Sequence, residues 1–190
     1  MKKTLGEMSL EELWALFPIF LVAPKPKWQA QYANMEKKLT DALSRYRITR
    51  VSHIGSTAID GICAKDIVDI LLEIDPAENM SGVAAAAEAL GFLRMSAGPN
   101  RVSLNYGYTP DGFAEDVYHL HIRFAGDNDE LYFRDYMNAH ADLAKAYEQL
   151  KLGLWKRYEH DRDGYTDAKG DFIRKWTQAA KREMGPRYRS

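Results

Sequence analysis

Residues 52–74 read Ser-His-Ile-Gly-Ser-Thr-Ala-Ile-Asp-Gly-Ile-Cys-Ala-Lys-Asp-Ile-Val-Asp-Ile-Leu-Leu-Glu-Ile. A β-branched run (Ile48, Thr49, Val51) leads in and predicts a strand that ends at Gly55-Ser56. After a short turn or helix comes a second, apolar strand that carries Asp69 and Glu73. Period-two alternation puts Val68, Ile70, Leu72 and Ile74 on its core face and Asp69, Leu71 and Glu73 on the other. A tight Gly-Ser turn can present N–H groups and a hydroxyl to a phosphate. A carboxylate on the next strand can hold the divalent cation that accompanies such a phosphate. Gly55, Ser56 and Thr57 are therefore candidate phosphate contacts, and Asp69 is the candidate cation ligand.

Upstream, Ser9-Leu10-Glu11-Glu12 is a capping box opening a short helix that ends near Pro18. Ile19 to Val22 reads as a short strand. Trp28, Tyr32, Met35, Leu39, Leu43 and Tyr46 form one apolar stripe on a long helix, expected to pack on the sheet. Downstream, Ser81 to Leu90 reads as a helix. Phe92 to Ser96, Arg101 to Tyr108 and Glu115 to Ala125 read as strands. From Asp129 the pattern is helical, with a break at Asp163-Gly164 and a basic tail from Lys181 expected to be frayed. These elements predict an α+β fold with a mixed sheet of four to six strands, flanked by helices, and a helical C-terminal part. One domain is expected over residues 1–190, its core near 20–180 and a helical extension at 1–18.

Hydrophobic residues make up 46% and charged residues 28% of the 190-residue chain, which excludes global disorder. Lys plus Arg number 26 against 27 Asp plus Glu, so no overall field draws nucleic acid. The single cysteine, Cys63, cannot form an internal disulfide and fits a reducing, cytoplasmic setting. It reads as a small buried hydrophobe. The apolar run from Leu13 to Pro24 is too short to span a bilayer, so no membrane partner is expected. Glu7, Glu11 and Glu12 separate it from the basic start, unlike a signal peptide.

In the strand Glu115–Ala125, Val117, His119, His121 and Arg123 share a face opposite Tyr118, Leu120, Ile122 and Phe124. Two imidazoles spaced by one residue leave a strand about 7 Å apart at their Cα atoms, close enough to share a metal ion or a phosphate. Simple exposure on a wet sheet face is the plainer alternative. Asp69, His119 and His121 are the candidate catalytic and metal-binding set. Lys65, Arg134 and Lys151 are candidates to neutralise phosphate charge. His53 reads as a structural histidine, and Asp66 as a surface or turn residue. No GxxxxGK[ST], GxGxxG, CxxC or HExxH motif is present.

Taken in order, several blocks resemble the GrpB family: His53-Ile54-Gly55-Ser56-Thr57-Ala58, Gly61, Ala64-Lys65 and Ile67-Val68-Asp69-Ile70; then His119-Leu120-His121 and Leu131-Tyr132-Phe133-Arg134-Asp135-Tyr136. Leu143-Ala144-Lys145-Ala146-Tyr147, Leu150-Lys151, Tyr165-Thr166-Asp167-Ala168-Lys169 and Phe172-Ile173 continue the match. The resemblance implies a nucleotidyltransferase-like fold, whose skeleton is a Gly-Ser turn followed about a dozen residues later by an Asp on a strand. Family members with a fused dephospho-CoA kinase point toward nucleotide or coenzyme metabolism. The chain departs from the family pattern, which usually has Pro where Asp66 stands and often has Pro where Asp60 stands. It departs from active nucleotidyltransferases too, because Leu71 stands where a second carboxylate is usual. The expectation is a metal-dependent protein, with Mg or Mn and a nucleoside triphosphate, transferring a nucleotidyl group to an acceptor. The alternative is a non-catalytic module that binds a nucleotide or phosphorylated metabolite on the same fold.

Overall fold

The computed structural model describes residues 3–188. Five strands form one mixed sheet: β1 (Ile48–Ile54), β2 (Val68–Ile74), β3 (Leu93–Ala97), β4 (Arg101–Thr109) and β5 (Gly112–Phe124), in the order β1-β2-β5-β4-β3. The β2–β5 pair is parallel and the others are antiparallel. The helices are α1 (Leu10–Leu16), α2 (Lys27–Ala42), α3 (Met80–Glu88), α4 (Asp129–Ala139), α5 (Ala141–Arg157), α6 (Arg162–Asp167) and α7 (Gly170–Met184).

The apolar stripe of α2 makes the main core. Trp28, Tyr32, Met35 and Leu39, with Leu43 beyond the helix end, pack on Val68, Ile70, Leu72 and Ile74 of β2 and on the buried face of α3. The opposite face of the sheet meets the C-terminal helices. There Leu71 packs with Ile54 and Leu131, while Tyr132, Phe133, Tyr136, Met137 and Tyr147 build a second core with Ile59 and Ile62. With both faces of β2 covered, every residue of that strand except Asp69 is buried. A strand buried on both faces is expected to be an almost continuous apolar run, and this one is.

Several sequence expectations need correction. Ile19 to Val22 is no strand; it makes only the bridge Val22–Ala64. The Ile19 main chain is used elsewhere, donating to Glu159 O and accepting from Trp155 Nε1. The helical break lies at residues 158–161, and Asp163-Gly164 sits inside α6. Asp161 is the reason, since its carboxylate accepts from Gly164 N at 2.8 Å and starts a new helix. The basic tail is packed as far as Tyr188, whose ring lies 5.1 Å from that of Tyr132 and whose hydroxyl bonds to Asp135. Cys63 is half-buried. Asp66 is a partly buried anchor that accepts from Lys25 Nζ at 2.6 Å and Trp28 Nε1 at 2.7 Å.

Candidate functional site

The parallel register sets Asp69 beside His119 and Leu71 beside His121, so both imidazoles share the face of Asp69. His119 Nδ1 lies 3.0 Å and His121 Nε2 3.9 Å from Asp69 Oδ1. One ligand atom from each of the three lies within 4.8 Å of the others. On the other side of β2, Ile54 pairs with Asp69, so β1 delivers Gly55 directly over the carboxylate. Gly55 has φ +72°, and a Cβ there would come within 2.9 Å of Asp69 Cβ and Cγ and closer still to Oδ2. The glycine is required both for its backbone angle and for this close approach.

Burial works to raise the Asp69 carboxyl, but the neighbouring His119 and His121 outweigh it and hold it well below the usual carboxylate range. Burial lowers His119 more than Asp69 raises it, which favours the neutral ring. His119 then donates from Nδ1 to Asp69, and its Nε2 accepts from the Tyr108 hydroxyl at 2.8 Å. Arg162 in turn donates to Tyr108 Oη at 2.9 Å. An oriented chain thus runs Arg162, Tyr108, His119, Asp69.

These groups open on a cavity of about 760 Å³ between the sheet and the C-terminal helices. Gly55, Ser56, Thr57, Lys65, Asp69, His119, His121 and Lys151 all line it. Arg134 does not. It donates to His53 O at 2.7 Å and pairs with Asp135, so the guanidinium closes the outer edge of β1, beside a separate cavity of about 720 Å³. Glu73 is also excluded. It is 1% exposed and bonded to Gly126 N at 3.0 Å and Asn128 Nδ2 at 2.8 Å, with Arg50 3.4 Å away. Arg123 does not extend the histidine row as an anion contact, because it pairs with Glu130 at 2.7 Å. His53 is structural, stacked on Tyr32 and bonded to Thr57, and burial lowers it to about 4.

Sequence reasoning missed four contributors. Lys169 and Arg162 sit around α6, which was read as a break. Tyr147 lies over Ser56 but reads as a core residue of the α5 stripe. Tyr108 was missed because period two places it with Tyr106, on the face opposite His119. The register of β4 shifts between Tyr106 and Tyr108, around Gly107 at φ +83°. A Cβ on Gly107 would lie 3.1 Å from Val117 Cα and closer to Asp116 O. The bulge changes the parity and turns Tyr108 toward His119. A glycine inside a strand was the available signal.

A carboxylate and two imidazoles make a donor set for a divalent transition ion such as manganese or zinc more than for magnesium, which prefers oxygen. Burial and nearby cations lower Lys65 and Lys151 to about 7, and burial lowers Lys169 to about 8. Three lysines that hold their protons loosely thus meet Arg162 on one wall of the cavity, with Asp129, Glu130 and Asp163 also lining it.

The model of the GrpB family, described as GrpB protein, matches residues 18–179. A UPF0157 protein of Deinococcus radiodurans is 35% identical over 168 residues, covering 84% of this chain and 81% of that protein. One from Pseudomonas aeruginosa is 32% identical over 151 residues, and the match covers 78% of this chain but only 62% of its relative's length. A dephospho-CoA kinase of Mycolicibacterium paratuberculosis is 28% identical, with 44% of its length matched. The crystal structure of conserved protein GrpB from Enterococcus faecalis superposes with a TM-score of 0.74 at 24% identity, covering 87% of this chain and 99% of that one. That likeness is one of fold, and the fold is the nucleotidyltransferase-like α+β arrangement. The chain belongs to the GrpB family.

Proposed function

We propose that this chain is a metal-dependent, nucleotidyltransferase-like protein that takes a nucleoside triphosphate in the cavity and transfers its nucleotidyl group to an acceptor. The observation that carries this reading is the meeting of Asp69, His119 and His121 with a cationic wall in one cavity. Asp69 and His121 would hold a divalent cation together with His119 in the tautomer that carries its proton on Nε2 toward Tyr108 and leaves Nδ1 free, and the ion when bound polarises a phosphoryl oxygen. Tyr108 orients His119, and Lys65, Lys151, Arg162 and Lys169 offset phosphate charge. In the transfer an acceptor oxygen bonds to the α-phosphorus, the bridging P–O bond breaks, pyrophosphate leaves, and the acceptor proton passes to water.

One observation favours a second reading. Leu71, where a second carboxylate would stand, is 0% exposed and packed on Ile54 and Leu131, so that position supplies no ligand for a two-metal clamp. A non-catalytic module binding the same ligand would need only one cation site.

The test combines nucleotide binding, with and without Mn²⁺ or Mg²⁺, and pyrophosphate release across an acceptor panel. The expected result for Asp69→Asn is an unchanged melt and lost metal-dependent nucleotide binding, because the amide keeps the shape and removes the charge. Binding by the wild type without release supports the module. A variant destabilised by about 1–3 kcal/mol with intact affinity would make Asp69 structural and favour the module, and an unchanged melt with unchanged affinity would count against both readings.

A further inference from the structure

The four cations of the cavity wall come from separate segments. Lys65 precedes β2, Lys151 lies in α5, Arg162 opens α6, and Lys169 immediately precedes α7. Three of them flank two aromatic platforms, and Lys151 Nζ lies 4.9 Å from the centre of a third, the Tyr147 ring. Lys65 Nζ is 5.8 Å and Lys169 Nζ 4.2 Å from the centre of the Tyr165 ring, and Arg162 Cζ is 5.5 Å from that of Tyr108. Among the described residues, the Lys65 and Lys169 ammoniums form no ion pair. Arg162 is bonded to a neutral phenol, and Lys151 bonds to the Cys63 carbonyl. Asp69 is turned to the histidines, and the other carboxylates lining the cavity, Asp129, Glu130 and Asp163, form no ion pair with these four cations among the described residues. Removing a cation from water without a paired carboxylate is costly, and such perturbed groups cluster at functional sites.

The Gly55–Ser56 turn does not offer the same service. The close face of Gly55 is filled by the Asp69 carboxylate, and the Ser56 hydroxyl bears on that of Tyr147. The cavity, at about 760 Å³, falls in the usual range of small-molecule sites. An orthophosphate carries its oxygens on one phosphorus, whereas a linear di- or triphosphate offers charged oxygens along its length to cations drawn from four separate segments.

We infer that Lys65, Lys151, Arg162 and Lys169 form a seat for a di- or triphosphate chain, and that this seat binds the chain without a metal ion. The inference rests on the reading above for the kind of ligand but is independent of the cation at Asp69. It shifts the phosphate-holding role from the Gly-Ser turn to the C-terminal helices.

The experiment is calorimetric titration of the full chain at pH 6, where the three lysines carry their protons, with inorganic tripolyphosphate, pyrophosphate and orthophosphate in EDTA. Tripolyphosphate is expected to bind, with orthophosphate at least about tenfold weaker. Lys65→Gln and Lys169→Gln should each weaken tripolyphosphate by about tenfold or more, the scale of one charge-assisted contact. Lys37→Gln, on the far face of α2, should leave it unchanged. The melting temperature of each variant is read beside its affinity, and a variant that melts as the wild type does shows that its lost affinity is not unfolding. Three results overturn the seat: no tripolyphosphate binding in EDTA, equal affinity for orthophosphate, or full affinity in both lysine variants. Mn²⁺ binding to wild type and Asp69→Asn, measured in parallel without EDTA or phosphate, tests the cation reading separately.

Discussion

At the scale of single residues, Gly55 and Asp69 act as a pair. The carboxylate occupies the space that a side chain at position 55 would need, and the backbone there is left-handed. Gly55→Ala is expected to destabilise the protein by more than about 1 kcal/mol, because alanine is strained at positive φ and displaces the carboxylate. Urea denaturation together with Mn²⁺ titration checks this, and an unchanged midpoint with unchanged metal affinity would refute it. Asp69 and the two histidines could be named from the sequence because period two in β2 and β5 set their faces. Tyr108 could not be placed on the same grounds, since the bulge at Gly107 breaks the parity on which such an argument depends.

At the scale of elements, the outer edge of β1 is closed by side chains instead of a strand. Val51 O accepts from Tyr32 Oη at 3.2 Å and His53 O from Arg134 at 2.7 Å. Blocking an edge in this way removes a template for pairing with another chain. Arg134 is held in that role by the C-terminal tail as well, since its Nη2 donates to Tyr188 Oη at 3.3 Å. Asn128, which supports Glu73, also donates to Tyr188 O at 3.0 Å. Truncation after Met184 is therefore expected to cost about 1–3 kcal/mol, the scale of burying one large apolar side chain. A thermal melt of the truncated chain within a degree of the full chain would show that the tail adds nothing. The basic composition of the tail suggested a frayed end; its docking depends on Tyr132 and Asp135, more than 50 residues away in sequence.

At the scale of the whole molecule, the cationic cavity makes stability depend on pH. Burial and mutual repulsion lower Lys65 and Lys151 from 10.5 to about 7, and burial lowers Lys169 from 10.5 to about 8. Between those limits the unfolded chain holds protons that the folded chain has shed, so stability rises with pH. It declines as pH falls from the unfolded value toward 7. The melting temperature is expected to climb between pH 7 and 9.5, with a shallower slope in Lys65→Gln or Lys169→Gln. An identical slope in all three proteins would count against the lysines as its source. Among the described residues, no helix is long and apolar enough to cross a membrane. The sequence by itself determined the five strands of the sheet and most of the helices, the apolar face of α2, the core face of β2 and the face shared by His119 and His121. Each of these is set by short-range periodicity and the need to bury one side of an element. Only the tertiary structure decided that β2 and β5 lie parallel and adjacent, which brings Asp69 to the histidines. It alone separated Arg134 and Glu73 from the site and brought in Tyr108, Arg162 and Lys169. Those outcomes depend on register and on contacts between distant segments, where a charged side chain takes whichever partner the packing leaves within reach.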